Sequence, residues 1–249
     1  MDGWSKGPCL ALPVGKMVKV ACENVAGGLE NTNAFLEWCQ QKEIGIAFVG
    51  EAWIEKKSRG TQTQPSFVLM TTAKEGRRVI TYARKGMEEV VDAVKEEDNL
   101  IILQEKQKKK IGGVYVNGRW HGEKWKECLE KLEMEMGREG SILVDGNAHS
   151  HYWNAKREED ARGKTMVEWI VGRGCTLREG DCGPMWKRTR EGRRESSRID
   201  FVSFKGSTEW SPISTTKLLS DHWAIHGEWE VDLTKKVEER VAVDWKQLD

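Results

Sequence analysis

Short apolar runs separated by longer, charge-rich stretches organise this chain. Ten runs of five to eight residues read as β-strands: 16–22, 44–50, 66–71, 78–83, 99–104, 111–117, 141–145, 175–179, 198–204 and 222–229. They are rich in β-branched and apolar residues and are bounded by turn formers such as Gly, Asn and Asp. Three stretches carry helical spacing instead. Around 31–43, Phe35, Trp38 and Cys39 share a face, and a third helix is predicted over about 162–173. The clearest is 122–138, where Trp125, Leu129, Leu132 and Met136 fall at i, i+4, i+7 and i+11 with Lys and Glu opposite. Strands outnumber helices, and the helices are inserted singly between strand groups. That order predicts an α/β (α+β) fold, a four-layered sandwich of two packed β-sheets flanked by helices.

The division predicted from this pattern is one domain over 16–232, an N-terminal extension over 1–15, and a charged C-terminal tail or linker over 233–249. No run approaches the roughly 18 consecutive apolar residues of a membrane span, so no membrane partner is expected. The opening MDGWSKGPCL has neither an apolar leader core nor an Arg-rich amphipathic pattern, so export is not expected either. The six cysteines lack CxxC spacing, which points to a reducing compartment. With 40 basic and 40 acidic residues the net charge is zero. Any nucleic-acid binding must therefore rest on local patches.

Candidate chemistry collects at strand ends. The apolar strand ILV runs into Asp145, Gly146, Asn147 and His149, which crowds a carboxylate, an amide and an imidazole at one strand terminus. Ligands bind off strand ends in sheets of this kind, because the following loop can present side chains there. LLSDHWAI places Asp221 beside His222 between apolar stretches, and SSRIDFVSF places Asp200 in an apolar strand. A buried Asp needs a partner, and a histidine whose tautomer it fixes is the economical one. Asn24 and Glu51 end two earlier strands. Read singly, each of these is equally well a turn former, a strand-end cap or a solvated carboxylate.

In order, Asn24, Glu51, Tyr115 in IGGVYV, Asp145 and Asn147 in LVDGNAH, SRID at 197–200 and SDH at 220–222 resemble the motifs of the endonuclease/exonuclease/phosphatase superfamily. Within it, NAHSHYW followed by DARGKTMVEWI is similar to the endonuclease domains of non-LTR (LINE-type) retrotransposons, and VDWKQLD to the connector leading toward their reverse transcriptase. Two positions depart from the family's strand end: Val144 stands where Gly is usual, and Gly146 where an apolar residue is usual.

The resemblance implies a DNA endonuclease that nicks one strand and leaves a 3′ hydroxyl to prime target-primed reverse transcription. The implied cofactor is Mg²⁺, with Mn²⁺ as the substitute ion. Glu51, Asn24 and Asp221 are implied at or near the metal, a hard cation that takes oxygen ligands. Asp145 is implied to orient and deprotonate water, Asn147 and Tyr115 to bond the phosphate, and His222 to contact a phosphate oxygen while oriented by Asp200. The implied partners are double-stranded DNA and a reverse transcriptase in the same polypeptide, with action in the nucleus.

Two basic patches supply electrostatics. One holds Lys106, Lys108, Lys109 and Lys110. The other sets Lys187, Arg188, Arg190, Arg193, Arg194 and Arg198 against three acidic residues, around a turn at REGRR. That segment reads as a β-hairpin, and by resemblance such a hairpin enters or tracks a DNA groove, with Lys187, Arg188, Arg190, Arg193, Arg194 and Ser197 as the contacts. A solvated, charged hairpin is the plainer alternative. Trp53 and Trp153 are candidates to line the cleft, and Trp186 to touch DNA. The competing functions are an apurinic-site repair nuclease or related phosphoesterase, and a catalytically degenerate domain that binds nucleic acid without cutting.

Overall fold

The structure is a computed structural model that describes residues 16–55, 60–105, 109–120, 123–137, 140–153, 158–178, 186–190, 193–197, 200–205 and 213–231. In chain order the elements begin with β1 (Lys16–Asn24), α1 (Leu29–Gln41), β2 (Ile46–Gly50), β3 (Phe67–Leu69) and β4 (Val79–Arg84). Next come β5 (Val91–Glu96), β6 (Leu100–Glu105), β7 (Lys110–Tyr115), α2 (Glu123–Met136), β8 (Gly140–Asp145), α3 (Ala161–Gly172) and β9 (Thr176–Arg178). The chain closes with β10 (Trp186–Arg190), β11 (Arg193–Ser197), β12 (Asp200–Lys205), β13 (Ser214–Lys217) and β14 (Trp223–Val231). One six-stranded sheet has the order β13-β14-β1-β2-β4-β3, the other β5-β6-β7-β8-β12-β9, and β10 with β11 forms a separate hairpin. The β1–β2 and β7–β8 pairs are parallel, and the remaining pairs are antiparallel.

Strand alternation explains the layers. Val18 and Val20 of β1, Phe48 of β2, Ile101 and Leu103 of β6, Ile111 of β7, Leu143 of β8, Val202 of β12 and Trp229 of β14 share the core between the sheets. The residues between them face outward and are covered by helices. Ala21, Ala47 and Val49 pack with Phe35, Leu36 and Cys39 of α1. Ile102, Val114, Ile142 and Val144 pack with Trp125, Leu129 and Leu132 of α2 and with Met166 and Ile170 of α3. The four-layered sandwich is as the pattern predicts, and Val144, the departure from the family's Gly, is buried under the α2 and α3 layer.

Among the described residues the ten predicted strands become fourteen. Two of the additions are the arms of the basic hairpin, and the other two, β5 and β13, are edge strands that bury little: β5 buries only Val91 fully, and β13 buries none of its residues. Trp153 is a correction. It is buried in the helix-side core with its indole N–H on the Ala148 carbonyl at 3.3 Å, so it packs away from the cleft. Lys109 pairs with Glu230 at 2.9 Å and the Lys110 ammonium donates to the Glu135 carbonyl, so part of the first basic patch is engaged within the fold. Lys106, Lys108, the 1–15 extension and the 233–249 tail lie outside the described residues. No helix of the described residues is long and apolar enough to cross a membrane.

Two positions make the packing testable. Gly113 faces the other sheet, and a Cβ placed there would lie 2.4 Å from Cδ1 of Phe48. Gly113→Ala is expected to force that ring or the sheets apart and to destabilise the protein by about 1–3 kcal/mol in a denaturant melt.

Glu23 occupies the α1-facing side of β1. It is buried, and both carboxylate oxygens lack a hydrogen-bond partner among the described residues. Burial pushes its carboxyl up to about 8, against the pull of His222 and Lys217. The folded protein thus keeps a proton that the unfolded chain has already released. The stability this contributes is complete at low pH and is lost as pH climbs from about 4.5 to about 8. Glu23→Gln removes the loss. The variant's stability relative to the parent should therefore rise over that window by roughly 2–3 kcal/mol, below the ceiling of about 1.4 kcal/mol per pH unit. Paired melts across the range measure it, and a flat difference refutes it.

Candidate active site

Register builds the site. Tyr115 ends β7 directly opposite Asp145, which ends β8, and Asp145 in turn faces Asp200, which opens β12. On each strand the same alternation that turns Ile111, Leu143 and Val202 into the inter-sheet core turns Tyr115, Asp145 and Asp200 into its open end. In the first sheet Asn24 ends β1 opposite Gly50, and Glu51 follows one residue later. The backbone bends sharply there: Ala26, Glu51 and Asn147 are left-handed, with φ of 50°, 44° and 43°. Such backbone is uncommon outside Gly, and here three cases sit around one cavity.

Three side-chain contacts tie the two sheets together at this end. Asn24 Nδ2 donates to Asp145 Oδ2 at 2.7 Å and to Glu51 Oε2 at 3.2 Å. The Tyr115 hydroxyl donates to Glu51 Oε1 at 3.0 Å. His222 Nδ1 meets Asp200 Oδ2 at 2.9 Å, with both side chains buried. Asn147 Nδ2 donates to the other Asp145 oxygen at 3.0 Å and to the Val116 carbonyl at 2.9 Å. Ser220 of the SDH motif donates to the Asn24 carbonyl and accepts the His222 N–H at 3.1 Å, which anchors the histidine to β1.

Asn24 sits differently from the implied metal ligand. Its carbonyl oxygen accepts the Ala26 N–H at 2.8 Å, so its NH₂ is turned to the two carboxylates. It is a strut between Glu51 and Asp145, and it would have to rotate to offer oxygen to a cation. Asp221 lies on the wall of the same cavity, with Oδ2 accepting the Trp186 indole N–H at 3.0 Å.

Crowded carboxylates set the electrostatics. Burial, reinforced by the Asp200 charge, pushes the Asp145 carboxyl up to about 7, although His222 and the Asn24 bond oppose it. Burial alone would lower His222. The Asp200 charge and hydrogen bond, together with Asp145 and Asp221, outweigh it and lift the imidazole to about 10. At neutral pH His222 is therefore an imidazolium. Burial and the neighbouring Glu51 and Asp145 charges hold the Tyr115 hydroxyl well above its ordinary value, so it stays a donor.

A cavity of about 350 Å³ opens over this cluster, lined by Glu51, Asn147, His149, Arg162, Asp221 and His222 among others. Arg162 was not singled out from the sequence. It comes from the DARG segment, whose spacing has a local cause. Asp160 caps α3 by accepting the Gly163 N–H at 2.6 Å, and Arg162 donates to the Gly118 carbonyl on the cavity rim. Gly163 passes so close to the His149 carbonyl that a Cβ there would lie 1.7 Å from its oxygen. Arg78, whose Nη1 reaches Glu51 Oε1 at 3.2 Å, was also missed, because nothing local marks an arginine that opens a strand.

The hairpin adjoins the cavity. Trp186 bridges His222 through the backbone, the Lys187 N–H donates to the Asp221 carbonyl at 3.0 Å, and Lys187 Nζ lies 4.9 Å from the Trp223 ring centroid. Arg188, Arg190, Arg193, Arg194 and Ser197 occupy strand positions in it, and their side chains lie outside the described residues. Gly192 of its turn and Arg198 lie outside them too.

Asp145, Asp200 and His222 place one ligand atom each within 4.8 Å of one another. His222 Nδ1 is taken by Asp200, so the oxygen donors Asp145 and Glu51, both within reach of one Asn24 nitrogen, are the better cation pair. That donor set fits a hard divalent cation, which commonly binds through one or two carboxylates.

Residues 110–226 match a family model described as endonuclease-reverse transcriptase. Among solved structures, the endonuclease domain of TRAS1, a telomere-specific non-LTR retrotransposon, superposes with a TM-score of 0.71 at 18% identity, covering 88% of this chain and 100% of that one. TDP2 from D. rerio, complexed with single strand DNA product, gives 0.57 at 12% identity, covering 86% and 98%. An AP endonuclease from Archaeoglobus fulgidus gives 0.58 at 13% identity, covering 85% and 98%. At these identities the likeness to solved structures is one of fold. No curated protein sequence gives a significant match. The family model matches across Tyr115, Asp145, Asp200 and His222, so residues 110–226 are similar to the endonuclease-reverse transcriptase family, on a fold shared with the endonuclease structures above.

Proposed function

We propose that this chain is a Mg²⁺-dependent DNA endonuclease that nicks one strand of double-stranded DNA, leaving a 3′ hydroxyl that primes reverse transcription of a retrotransposon's RNA. The observation that carries the reading is the set of cross-sheet contacts Asn24–Asp145, Glu51–Tyr115 and Asp200–His222 around one cavity. It supplies the three things phosphodiester hydrolysis needs: a base for water, donors for the phosphoryl oxygens, and a carboxylate site for a cation. The family match supports a reverse transcriptase as the partner in the same polypeptide, and the DNA substrate implies action in the nucleus.

The residues divide the work. Asp145, held by Asn24 and Asn147 and poised near neutrality, accepts the proton of the attacking water. His222, an imidazolium pinned by Asp200, donates a charge-assisted hydrogen bond to a non-bridging phosphate oxygen. The Tyr115 hydroxyl, which donates to Glu51, and the Asn147 amide, which donates to Asp145 and the Val116 carbonyl, become neutral donors for the same group by exchanging those bonds for the phosphate, and Arg162 adds positive charge at the rim. Bound at Glu51 and Asp145, Mg²⁺ would supply Lewis-acid stabilisation of the phosphoryl charge.

Conversion of supercoiled plasmid to open circle tests this directly. Nicking is expected with Mg²⁺ and not with EDTA, and Asp145→Ala and His222→Ala should each lower the rate about 10²- to 10⁴-fold without loss of fold. Wild type that binds DNA with steep salt dependence yet never nicks would establish the degenerate reading instead.

The pH profile follows from the same charges. The nicking rate should rise as Asp145 deprotonates through about 7 and fall as His222 loses its proton near 10. A cation beside Asp145 favours the carboxylate, so raising Mg²⁺ should move the acid limb to lower pH. An acid limb indifferent to Mg²⁺ would separate Asp145 from the cation site.

A further inference from the structure

Each carboxylate at the open end has a partner within the chain. Asp200 meets the His222 imidazolium, Asp221 the Trp186 indole, and Asp145 the amides of Asn24 and Asn147. Glu51 meets an arginine, Arg78. We propose that Arg78 is a stand-in for the cation: it neutralises Glu51 while no ion is bound and yields that carboxylate when a divalent ion binds, and so sets the cation concentration the site requires. This inference rests on the cation site at Glu51 and Asp145 that belongs to the nuclease reading.

Backbone pairing puts the two residues together. Gly50 of β2 pairs with Val79 of β4, so Glu51 and Arg78 stand side by side just beyond the last pair. The Glu51 N–H donates to the Arg78 carbonyl at 2.6 Å, and the Arg78 N–H donates to the Asp98 carbonyl. The root of the arginine is therefore fixed beside Glu51, whatever its side chain does. That side chain is half in water, 48% exposed against 27% for Glu51. Its neighbour behaves oppositely: Arg77 is 3% exposed and pairs with Glu96 at 2.7 Å. One arginine anchors the start of β4 in the body, and the next is left free to swing.

Three donors meet the Glu51 carboxylate, and they differ in what leaving would cost. The Tyr115 hydroxyl and Arg78 Nη1 reach Oε1 at 3.0 Å and 3.2 Å, and Asn24 Nδ2 reaches Oε2 at 3.2 Å. Tyr115 and Asn24 are buried, and a buried donor that loses its acceptor bears the full desolvation penalty. The Arg78 guanidinium regains water when it lets go, so it is the donor that can be exchanged. It is also the one that must be. A guanidinium keeps its charge at every working pH, and a like charge beside a divalent ion opposes binding. An exposed ion pair is weak, equivalent to a competing factor of at most about five-fold in affinity. Such a pair screens the carboxylate yet gives way to a stronger cation.

Binding of Mn²⁺ to the full chain without DNA tests the exchange, with the free ion counted by its electron paramagnetic resonance signal and Mg²⁺ added as competitor. The parent is compared with Arg78→Gln and Arg78→Lys, each checked for fold by thermal melting. Arg78→Gln removes the charge and should bind Mn²⁺ about five-fold more tightly, whereas Arg78→Lys keeps it and should stay within about two-fold of the parent. Equal or weaker binding by Arg78→Gln, as an arginine that merely orients Glu51 would give, overturns the proposal and leaves the cation site intact. The gain should vanish when Arg78→Gln is combined with Glu51→Gln; a gain that persists there is a general charge effect and rejects the exchange. Displacement itself is read by nuclear magnetic resonance of ¹⁵N-labelled protein. The Arg78 Nε–H signal, assigned by its loss in Arg78→Lys, should move toward that of solvent-exposed arginines as Mg²⁺ is added, and a signal unmoved at saturation refutes the exchange. Mn²⁺ bound by neither the parent nor any variant overturns the cation site and the exchange with it.

Discussion

The open end of the sandwich depends on the pairing of β8 with its two neighbours, which sets Tyr115, Asp145 and Asp200 side by side. Side chains alternate along a strand, so a slip of one residue would turn Asp145 into the α2 and α3 layer and Val144 toward the other sheet. The slip is forbidden by the core, because Leu143 and Val202 are buried between the sheets and Ile142 and Val144 are buried under the helices. The apolar alternation that makes the sandwich fold therefore also aims the polar residues at its rim. No separate device is needed to place them.

Closing that rim gathers negative charge. Asp145 and Asp200 are buried, and Glu51 and Asp221 stand at the edge, against one imidazolium and the nearby Arg78 and Arg162. Buried like charges cannot all ionise without a counter-charge, which is why the Asp145 carboxyl rises and why His222 holds its proton so firmly. The cluster is balanced by a proton on Asp145 or by a cation beside it. The repulsion that raises the Asp145 carboxyl is of the kind a bound cation would relieve, which links the proposed cation site to the proposed base.

Much of this was legible in the sequence because strand interiors are apolar, so a polar residue at the end of such a run stands out. Asp145, Asn147, Asp200 and His222 stand out as candidates that way, and the Asp200–His222 pair expected from the cost of burying a lone carboxylate is present. What could not be read shares a different feature. The edge strands β5 and β13 bury so few side chains that alternation leaves little trace. Arg78 and Arg162 act on groups 27 and 44 residues away, and contacts of that separation exist only once the sheets are packed. The turn of Asn24 is hidden for the same kind of reason: the Ala26 N–H that fixes its amide is available only because the backbone there is left-handed.

The hairpin is joined to the site without sharing a sheet with it. Among the described residues its links to the body are the Trp186–His222 bridge, the Lys187 N–H on the Asp221 carbonyl, the Trp186 indole on the Asp221 carboxylate and the Lys187 ammonium over Trp223. All four reach the segment that also carries His222. The chain also leaves β11 for Asp200 at the start of β12, which faces Asp145 and bonds His222, so the hairpin is tied to both sides of the cluster. A change in how the hairpin seats is therefore expected to reach Asp200, Asp221 and His222 together, because all three lie on segments it is joined to.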